Sequence, residues 1–216
     1  MDLPNEIWYN VFSFLSQRSM SKFSSLWNLH DLSEKEIELL WTSSHPCFIF
    51  DACKHGYINL VKLLIIKFGV DISVSHGFDK LIHCASRYGH KEILEFLIAN
   101  GADVNSYAMW KDTPLMLACV AGHKDCAELL IANGADVNIQ SSGCGSALSS
   151  ACVAGHKDCI ELLIANGVDV KNDDVMSELF LNEMLGISGW EDIIEMLGIS
   201  GREDIIEIVV NSIKKN

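Results

Sequence analysis

Basic residues are scarce in this chain of 216 residues, which has 16 lysines and arginines against 29 aspartates and glutamates. Proteins that hold nucleic acid by its phosphate backbone need clustered basic side chains, so the formal net charge of -13 argues against nucleic-acid binding. The same charge favours a protein partner with a basic surface. Ten of the acidic residues lie after Val170, so part of the imbalance belongs to the C-terminal segment.

Long apolar runs are also missing. The chain begins Met-Asp-Leu-Pro-Asn-Glu, and no basic segment precedes an apolar one. No stretch approaches the roughly twenty apolar residues that span a bilayer. We therefore expect no membrane contact and a cytoplasmic location, with the nucleus left open.

Motifs that carry covalent or metal chemistry are absent as well. No two cysteines have C-x-x-C spacing, and no G-x-S-x-G, phosphate-binding loop or H-E-x-x-H motif occurs. Cys119 and Cys152 are separated by thirty-three positions, as are Cys126 and Cys159. This spacing predicts reduced thiols that act as small buried apolar groups. We expect no metal, no cofactor and no enzymatic activity.

The main feature that is present is a repeat. Four alanines recur at a constant interval of thirty-three positions, namely Ala52, Ala85, Ala118 and Ala151. Each of them is followed four residues later by a glycine. A fixed repeat of this length is typical of a solenoid, in which each unit must stack on its neighbours to bury its apolar faces.

One unit can be predicted in detail. Thr113 and Pro114 begin a helix as N-cap and first helical residue, and this helix runs to about Ala121. A glycine turn follows, and a second helix runs from His123 to about Asn133. The polar, glycine-rich stretch before the next unit predicts a projecting hairpin loop.

The segment T-P-L-M-L-A at residues 113–118 resembles the signature T-P-L-H-x-A of ankyrin repeats. The resemblance implies an all-α ankyrin-repeat solenoid of helix-turn-helix units with hairpin loops. The expected units are 42–74, 75–107, 108–140 and 141–173, of which the first is irregular. Histidines at the shared repeat positions are expected to form hydrogen bonds at helix starts, and they are His83, His90, His123 and His156.

Residues 1–41 differ from the repeats and predict three short helices dense in large apolar side chains. The stretch L-P-N-E-I-W-Y-N-V-F-S-F-L resembles an F-box, the segment that docks on Skp-family adaptors. The resemblance implies an adaptor-binding face formed by Leu3, Pro4, Ile7, Val11, Phe12, Leu15, Met20, Phe23 and Leu26. Alternatively, the helices only cap the apolar end of the solenoid.

Residues 174–216 contain a tandem duplication of the twelve-residue sequence E-M-L-G-I-S-G-x-E-D-I-I. Because a block of this length does not fit the longer repeat period, we expect a degenerate fifth repeat that is split by the duplication. It would close the solenoid as a helical cap.

These resemblances together imply a substrate-recruiting subunit of a Skp-cullin-F-box ubiquitin ligase. The alternative is an ankyrin scaffold or inhibitor that binds one partner without any link to ubiquitination. The near-identical units resemble the expanded ankyrin proteins of large DNA viruses and intracellular bacteria, for which the site of action would be the host-cell cytoplasm.

Target binding is expected at the hairpin tips and on the first helices, which stacking leaves variable. Trp110 is predicted to be the anchor, because neither stacking nor the repeat requires a large aromatic at a loop tip. The alternative is that Trp110 packs back on Tyr107. The predicted target-binding residues are Lys54, His55, Phe78, Asp79, Arg87, Tyr88, Met109, Trp110, Lys111 and Asp112.

Overall fold

A computed structural model describes residues 47–142, 145–169 and the single residue Ile208. The F-box-like segment 1–41 with its predicted adaptor-binding residues lies outside this part. The predicted cap 174–216 also lies outside this part, with the exception of Ile208. Ile208 packs partly buried against the core of the repeats.

The described residues form helix pairs in series. The first helices of the pairs are α1 (Cys47–Lys54), α3 (Leu81–Tyr88), α5 (Pro114–Val120) and α7 (Ala147–Ala154). The second helices are α2 (Ile58–Ile66), α4 (Lys91–Ala99), α6 (Lys124–Ala132) and α8 (Lys157–Ala165). Each first helix packs on the next first helix, and each second helix on the next second helix. This stacking confirms the predicted all-α solenoid across the described repeats.

The loops between pairs project as fingers. In the first finger, strands β1 (Ser75–His76) and β2 (Asp79–Lys80) pair antiparallel, with Ser75 opposite Lys80. In the next finger a short 3-10 turn, Met109–Lys111, takes the place of the strands. The predicted hairpin is therefore confirmed in the first of these loops.

Local sequence signals account for the helix bounds. The Thr113 side chain accepts a hydrogen bond from the Met116 backbone N–H at 3.3 Å, and Pro114 occupies the first helical position, as predicted. Helix α6 begins at Lys124 and ends at Ala132, one residue inside each predicted bound.

Small side chains form the centre of the stack. Each of the four repeated alanines is fully buried, and no larger side chain would let the first helices approach as closely. Six cysteines on these helices are buried and unbridged, as predicted for reduced thiols: Cys53, Cys84, Cys119, Cys126, Cys152 and Cys159. Burial raises the pKa of the Cys126 thiol to about 11, which keeps that thiol protonated and unreactive.

Two of these thiols also join neighbouring units. Cys53 donates to the Leu81 carbonyl and Cys84 donates to the Phe50 carbonyl, each at 3.6 Å. A hydrogen bond with Cys84, together with burial, raises the pKa of Cys53. The Cys53 thiol therefore stays in the neutral form that suits an apolar interface.

A histidine-on-glycine contact recurs at each junction between repeats. Gly56 has a left-handed φ of 78°, and a Cβ added there would lie 2.7 Å from two ring atoms of His90 in the next unit. The His90 ring is held in place because its Nε2–H donates to the Lys54 carbonyl at 2.8 Å. Gly89 faces His123 and Gly122 faces His156 in the same way. We call this contact the His–Gly lock.

The His–Gly lock corrects the expectation that these histidines form hydrogen bonds at helix starts. His90, His123 and His156 occupy the N-cap positions of α4, α6 and α8, but none of them forms a side-chain cap hydrogen bond. Their rings turn back toward the glycine of the preceding unit, because that glycine leaves the space a side chain would fill.

His83 does form the expected hydrogen bond at a helix start. Its Nδ1 accepts from the Lys80 backbone N–H at 3.0 Å, while its Nε2–H donates to the Ser106 carbonyl at 3.0 Å. The fully buried ring thus ties the start of α3 to the base of the following finger. Burial lowers the pKa of His83 below its ordinary value of 6.5, although the hydrogen bond to Ser106 opposes the shift.

This shift predicts that acid destabilises the repeats. Because the pKa is lower in the folded state, the unfolded chain binds the proton first, and stability is lost as the pH falls below about 6.5. Urea unfolding at pH 7.5 and pH 5 should show a larger loss for wild type than for His83→Gln, whose side chain stays neutral. Equal losses in the two proteins would contradict the assignment.

Candidate protein-binding surface

The first helices and the fingers together form one continuous exposed face. At the same position of each repeat, the first helices present Lys54, Arg87, Val120 and Val153, all exposed. This row is basic in the first two units and apolar in the last two. Its two halves therefore suit different chemical groups on a partner.

A groove of about 210 Å³ lies between α1 and α3. The Arg87 guanidinium donates to the Asp79 carboxylate at 3.1 Å, and the Lys54 ammonium lies 5.4 Å from the centre of the Tyr88 ring. Phe50 and Cys84 give the groove apolar surface, while Asp51 adds a second carboxylate. Because the lining has charges of both signs, the groove can accept polar side chains but has no strong preference for one charge.

The finger between α4 and α5 has an unusual tip. Trp110 and Lys111 both have left-handed backbones, with φ of 63° and 64°, and among the described non-glycine residues only these two have a positive φ. The Trp110 side chain is 64% exposed, and Tyr107 and Met109 beside it are also exposed. These exposures favour the projecting anchor over packing of Trp110 on Tyr107.

Trp110 occupies a position that glycine fills in the neighbouring fingers. Gly77 lies one repeat period before it and Gly143 one period after it, and Gly77 has the same left-handed backbone, with φ of 67°. A side chain in this conformation costs about 1 to 2 kcal/mol per residue, whereas glycine adopts it freely. Such strain is typical of functional sites, since stability alone would favour glycine.

The next finger holds this strained tip in place. The Trp110 carbonyl accepts two hydrogen bonds from Ser142, one from its backbone N–H and one from its side-chain Oγ–H, each at 2.9 Å. Below the tip, the Ala108 N–H donates to the Asp112 carbonyl at 2.9 Å and closes the turn. The backbone of the tip is therefore held by two units.

Most of the predicted target-binding residues lie on this face. Six of them are exposed, namely Lys54, Phe78, Arg87, Tyr88, Met109 and Lys111, in addition to Trp110. His55 and Asp79 are partly buried. The groove brings together four of the predicted residues, namely Lys54, Asp79, Arg87 and Tyr88.

Asp112 requires a correction. Its side chain is buried, and its backbone N–H closes the turn from Met109 to Lys111 by donating to the Met109 carbonyl at 3.2 Å. It supports the base of the finger and is not part of the exposed tip.

Three exposed residues of this face are absent from the predicted set. From the sequence, Tyr107 is expected only as a packing partner of Trp110, and Val120 and Val153 carry no charge or aromatic ring that would indicate a role in target binding. The repeat period offered a usable signal, since both valines occupy the position of Lys54 and Arg87 in their own units.

Neither a cluster of metal ligands nor a membrane-spanning helix occurs in the described part of the chain. Within it, no group of three or more histidine, cysteine, aspartate or glutamate side chains is placed to hold a metal ion. Nor is any helix there both long enough and apolar enough to cross a membrane. The absence of zinc and of oxidised thiols stays a prediction for the whole chain.

Stacked helix pairs with an exposed apolar and charged face define a helical-repeat binding protein. A family model for ankyrin repeats in three copies matches residues 48–141 and again residues 82–174, which together make up more than half of the chain. The chain belongs to the ankyrin-repeat family. Proteins of this family are typically scaffolds without enzymatic activity, and the repeats indicate a role in protein–protein interaction.

One curated relative is the transient receptor potential cation channel subfamily A member 1 of Drosophila melanogaster. It is 32% identical over 72 residues, which are 31% of this chain and 6% of that protein. The chain is thus similar to only a small part of that relative.

Proposed function

We propose that this chain is the substrate-recruiting subunit of a Skp-cullin-F-box ubiquitin ligase. The ankyrin repeats hold a target protein, and the F-box-like segment 1–41 docks on a Skp-family adaptor. The chain acts by bringing the two together in the cytoplasm and performs no covalent chemistry itself.

The strained tip at Trp110 carries the target-binding half of this proposal. A large aromatic side chain stands exposed where the neighbouring fingers have glycine, and Ser142 fixes its backbone. Exposed, preorganised aromatic residues are typical interface anchors, because they bury a large area and lose little conformational entropy on binding.

The adaptor-binding half rests on the sequence. Leu3, Pro4 and Ile7 begin the F-box-like stretch, and Val11 and Leu15 continue it at helical spacing. A plain helical cap would have no reason to reproduce L-P-x-E followed by F-S-F-L.

Replacing Leu3, Pro4 and Ile7 together by alanine should abolish co-precipitation with a purified Skp-family adaptor. The apolar contacts of the F-box-like segment would be lost, while the ankyrin repeats should keep their urea midpoint. Trp110→Gly is the matched control and should retain adaptor binding in full. The measurement is the amount of adaptor retained by each immobilised protein.

If the wild-type chain retains no adaptor, the ligase role is wrong and the scaffold or inhibitor role replaces it. If the triple variant retains as much adaptor as wild type, these three residues are not the docking surface.

A further inference from the structure

An asparagine–glycine pair follows the second helix in three successive units. The pairs are Asn100–Gly101, Asn133–Gly134 and Asn166–Gly167, and both residues of each pair are exposed. An asparagine before glycine is prone to spontaneous deamidation, because glycine has no side chain to hinder attack by its backbone nitrogen. The three pairs are therefore candidate sites of chemical modification.

Deamidation at Asn100 needs two groups of the pair to meet. Hydroxide removes the proton of the Gly101 backbone N–H, the nitrogen attacks the Asn100 side-chain Cγ, and the Cγ–Nδ2 bond breaks to release ammonia. Water then opens the resulting succinimide to aspartate or isoaspartate. The only reagent consumed is water, so the reaction depends on whether the fold lets the nitrogen reach Cγ.

The folded chain engages both reacting groups elsewhere. The Gly101 N–H donates to the Ile98 carbonyl at 3.0 Å, and the Asn100 side-chain Nδ2–H donates to the Phe96 carbonyl at 2.7 Å. The same two hydrogen bonds form at the other two pairs. At each pair the reaction must therefore wait until the end of the helix opens locally.

An asparagine side chain from the preceding unit also holds two of these turns. The Asn105 Nδ2–H donates to the Gly134 carbonyl at 3.0 Å, and its Oδ1 accepts from the Asp136 backbone N–H at 2.9 Å. Asn138 repeats the second contact one unit later, where its Oδ1 accepts from the Asp169 backbone N–H at 2.7 Å. We call such a side chain an asparagine brace.

The first unit cannot brace the turn after Asn100 in this way. One repeat period before Asn105 stands Ile72, whose hydrocarbon side chain can neither donate nor accept a hydrogen bond. Opening the turn at Asn100 therefore breaks fewer contacts between units than opening the turn at Asn133.

The chain contains its own control for this difference. Residues 97–105 and 130–138 both read L-I-A-N-G-A-D-V-N. Since the local sequence around Asn100 and Asn133 is identical, their rates of deamidation should be equal in the unfolded chain. A difference between them in the folded chain must come from contacts with other parts of the molecule.

We propose that Asn100 is the residue at which the folded repeats first deamidate, and that the asparagine brace of Asn105 protects Asn133. Isoaspartate at residue 100 would insert one extra carbon atom into the main chain, directly before the finger that carries Trp110. The site thus limits how long that finger keeps its geometry, a property separate from target recruitment.

The test follows deamidation of the full-length chain in buffer at 37 °C and pH 8, with a parallel sample in concentrated urea. Trypsin places Asn100, Asn133 and Asn166 in three different peptides, and mass spectrometry measures the acid form in each. In urea, Asn100 and Asn133 should react at equal rates. In buffer, Asn100 should react about tenfold faster than Asn133, because two more hydrogen bonds must break at Asn133.

Two variants assign the difference to the braces. Asn105→Ala should raise the rate at Asn133 to the rate at Asn100 and leave the ratio of Asn166 to Asn100 unchanged. Asn138→Ala is the matched control and should accelerate Asn166 alone. A general loss of stability would accelerate all three sites together, so the ratio between sites within one variant reports the brace and not the fold.

Equal rates at Asn100 and Asn133 in folded wild type would show that the repeats react only after global unfolding, and this would overturn the proposal. A ratio of Asn133 to Asn100 that Asn105→Ala leaves unchanged would show that the brace does not protect Asn133.

Discussion

Replacing Trp110 by glycine is expected to stabilise the folded repeats and at the same time to remove most of the target binding. Glycine relieves the left-handed strain of about 1 to 2 kcal/mol, and its greater freedom in the unfolded chain offsets about 0.4 to 1 kcal/mol of that gain. The net increase in the free energy of unfolding, measured by urea titration, should be about 0.5 to 1 kcal/mol. Binding to a target protein of the repeats should fall about thirtyfold.

Two further variants separate strain from contact. Trp110→Ala loses the indole but keeps a side chain on the left-handed backbone, so it should lose binding without gaining stability. Gly77→Ala introduces the same strain one repeat earlier and should lower the free energy of unfolding by about 1 kcal/mol. If Trp110→Gly is less stable than wild type, the indole contributes to packing and the anchor assignment fails.

Replacing Gly56 by alanine should be among the most damaging single-methyl changes in the described repeats. An alanine at this position must keep the left-handed backbone, which costs about 1 kcal/mol or more. Its Cβ would also lie 2.7 Å from the His90 ring. Moving the ring breaks its hydrogen bond to the Lys54 carbonyl, and crowding in a packed site costs a further amount of about 1 to 3 kcal/mol. A total of about 3 kcal/mol is a large share of the stability of about 5 to 15 kcal/mol that is typical of a domain.

The matched control lies in the same unit. Gly69 has a similar φ of 66°, but a Cβ added there meets nothing within 4 Å. Gly69→Ala should therefore lose only about 1 kcal/mol, from the backbone conformation alone. Urea titration followed by circular dichroism measures both variants. Equal losses at Gly56 and Gly69 would show that the His90 ring yields freely and that the His–Gly lock adds no stability.

The repeat period and the helix signals predicted the fold closely. The spacing of the alanines placed the helix pairs, and Thr113 and Pro114 placed the start of α5, because capping is decided within a few residues of the helix end. The candidate face was predicted in part, since the constant repeat period identifies the finger tips and leaves their side chains free of the stack.

Contacts between units were harder to predict from the sequence. The turn of His90 toward Gly56 joins residues of two different units, and a capping interpretation of the same histidine is equally consistent with the sequence alone. Asp112 is buried directly after the left-handed backbone at Trp110 and Lys111, and neither residue type indicates such a conformation. Residues whose role depends on an unusual backbone are thus the ones that sequence patterns miss.

The His–Gly lock also bears on how such a chain can lengthen. Each unit supplies the glycine for the junction after it and the histidine for the junction before it, as Gly89 and His90 show. A duplicated block of one full repeat period therefore carries a histidine for the junction at its start and a glycine for the junction at its end. The neighbouring units supply the glycine and the histidine that these two residues contact. Insertion of a whole unit adds a complete junction without any second mutation, and the near-identical units beginning at Ala118 and Ala151 are the kind of product that such growth leaves.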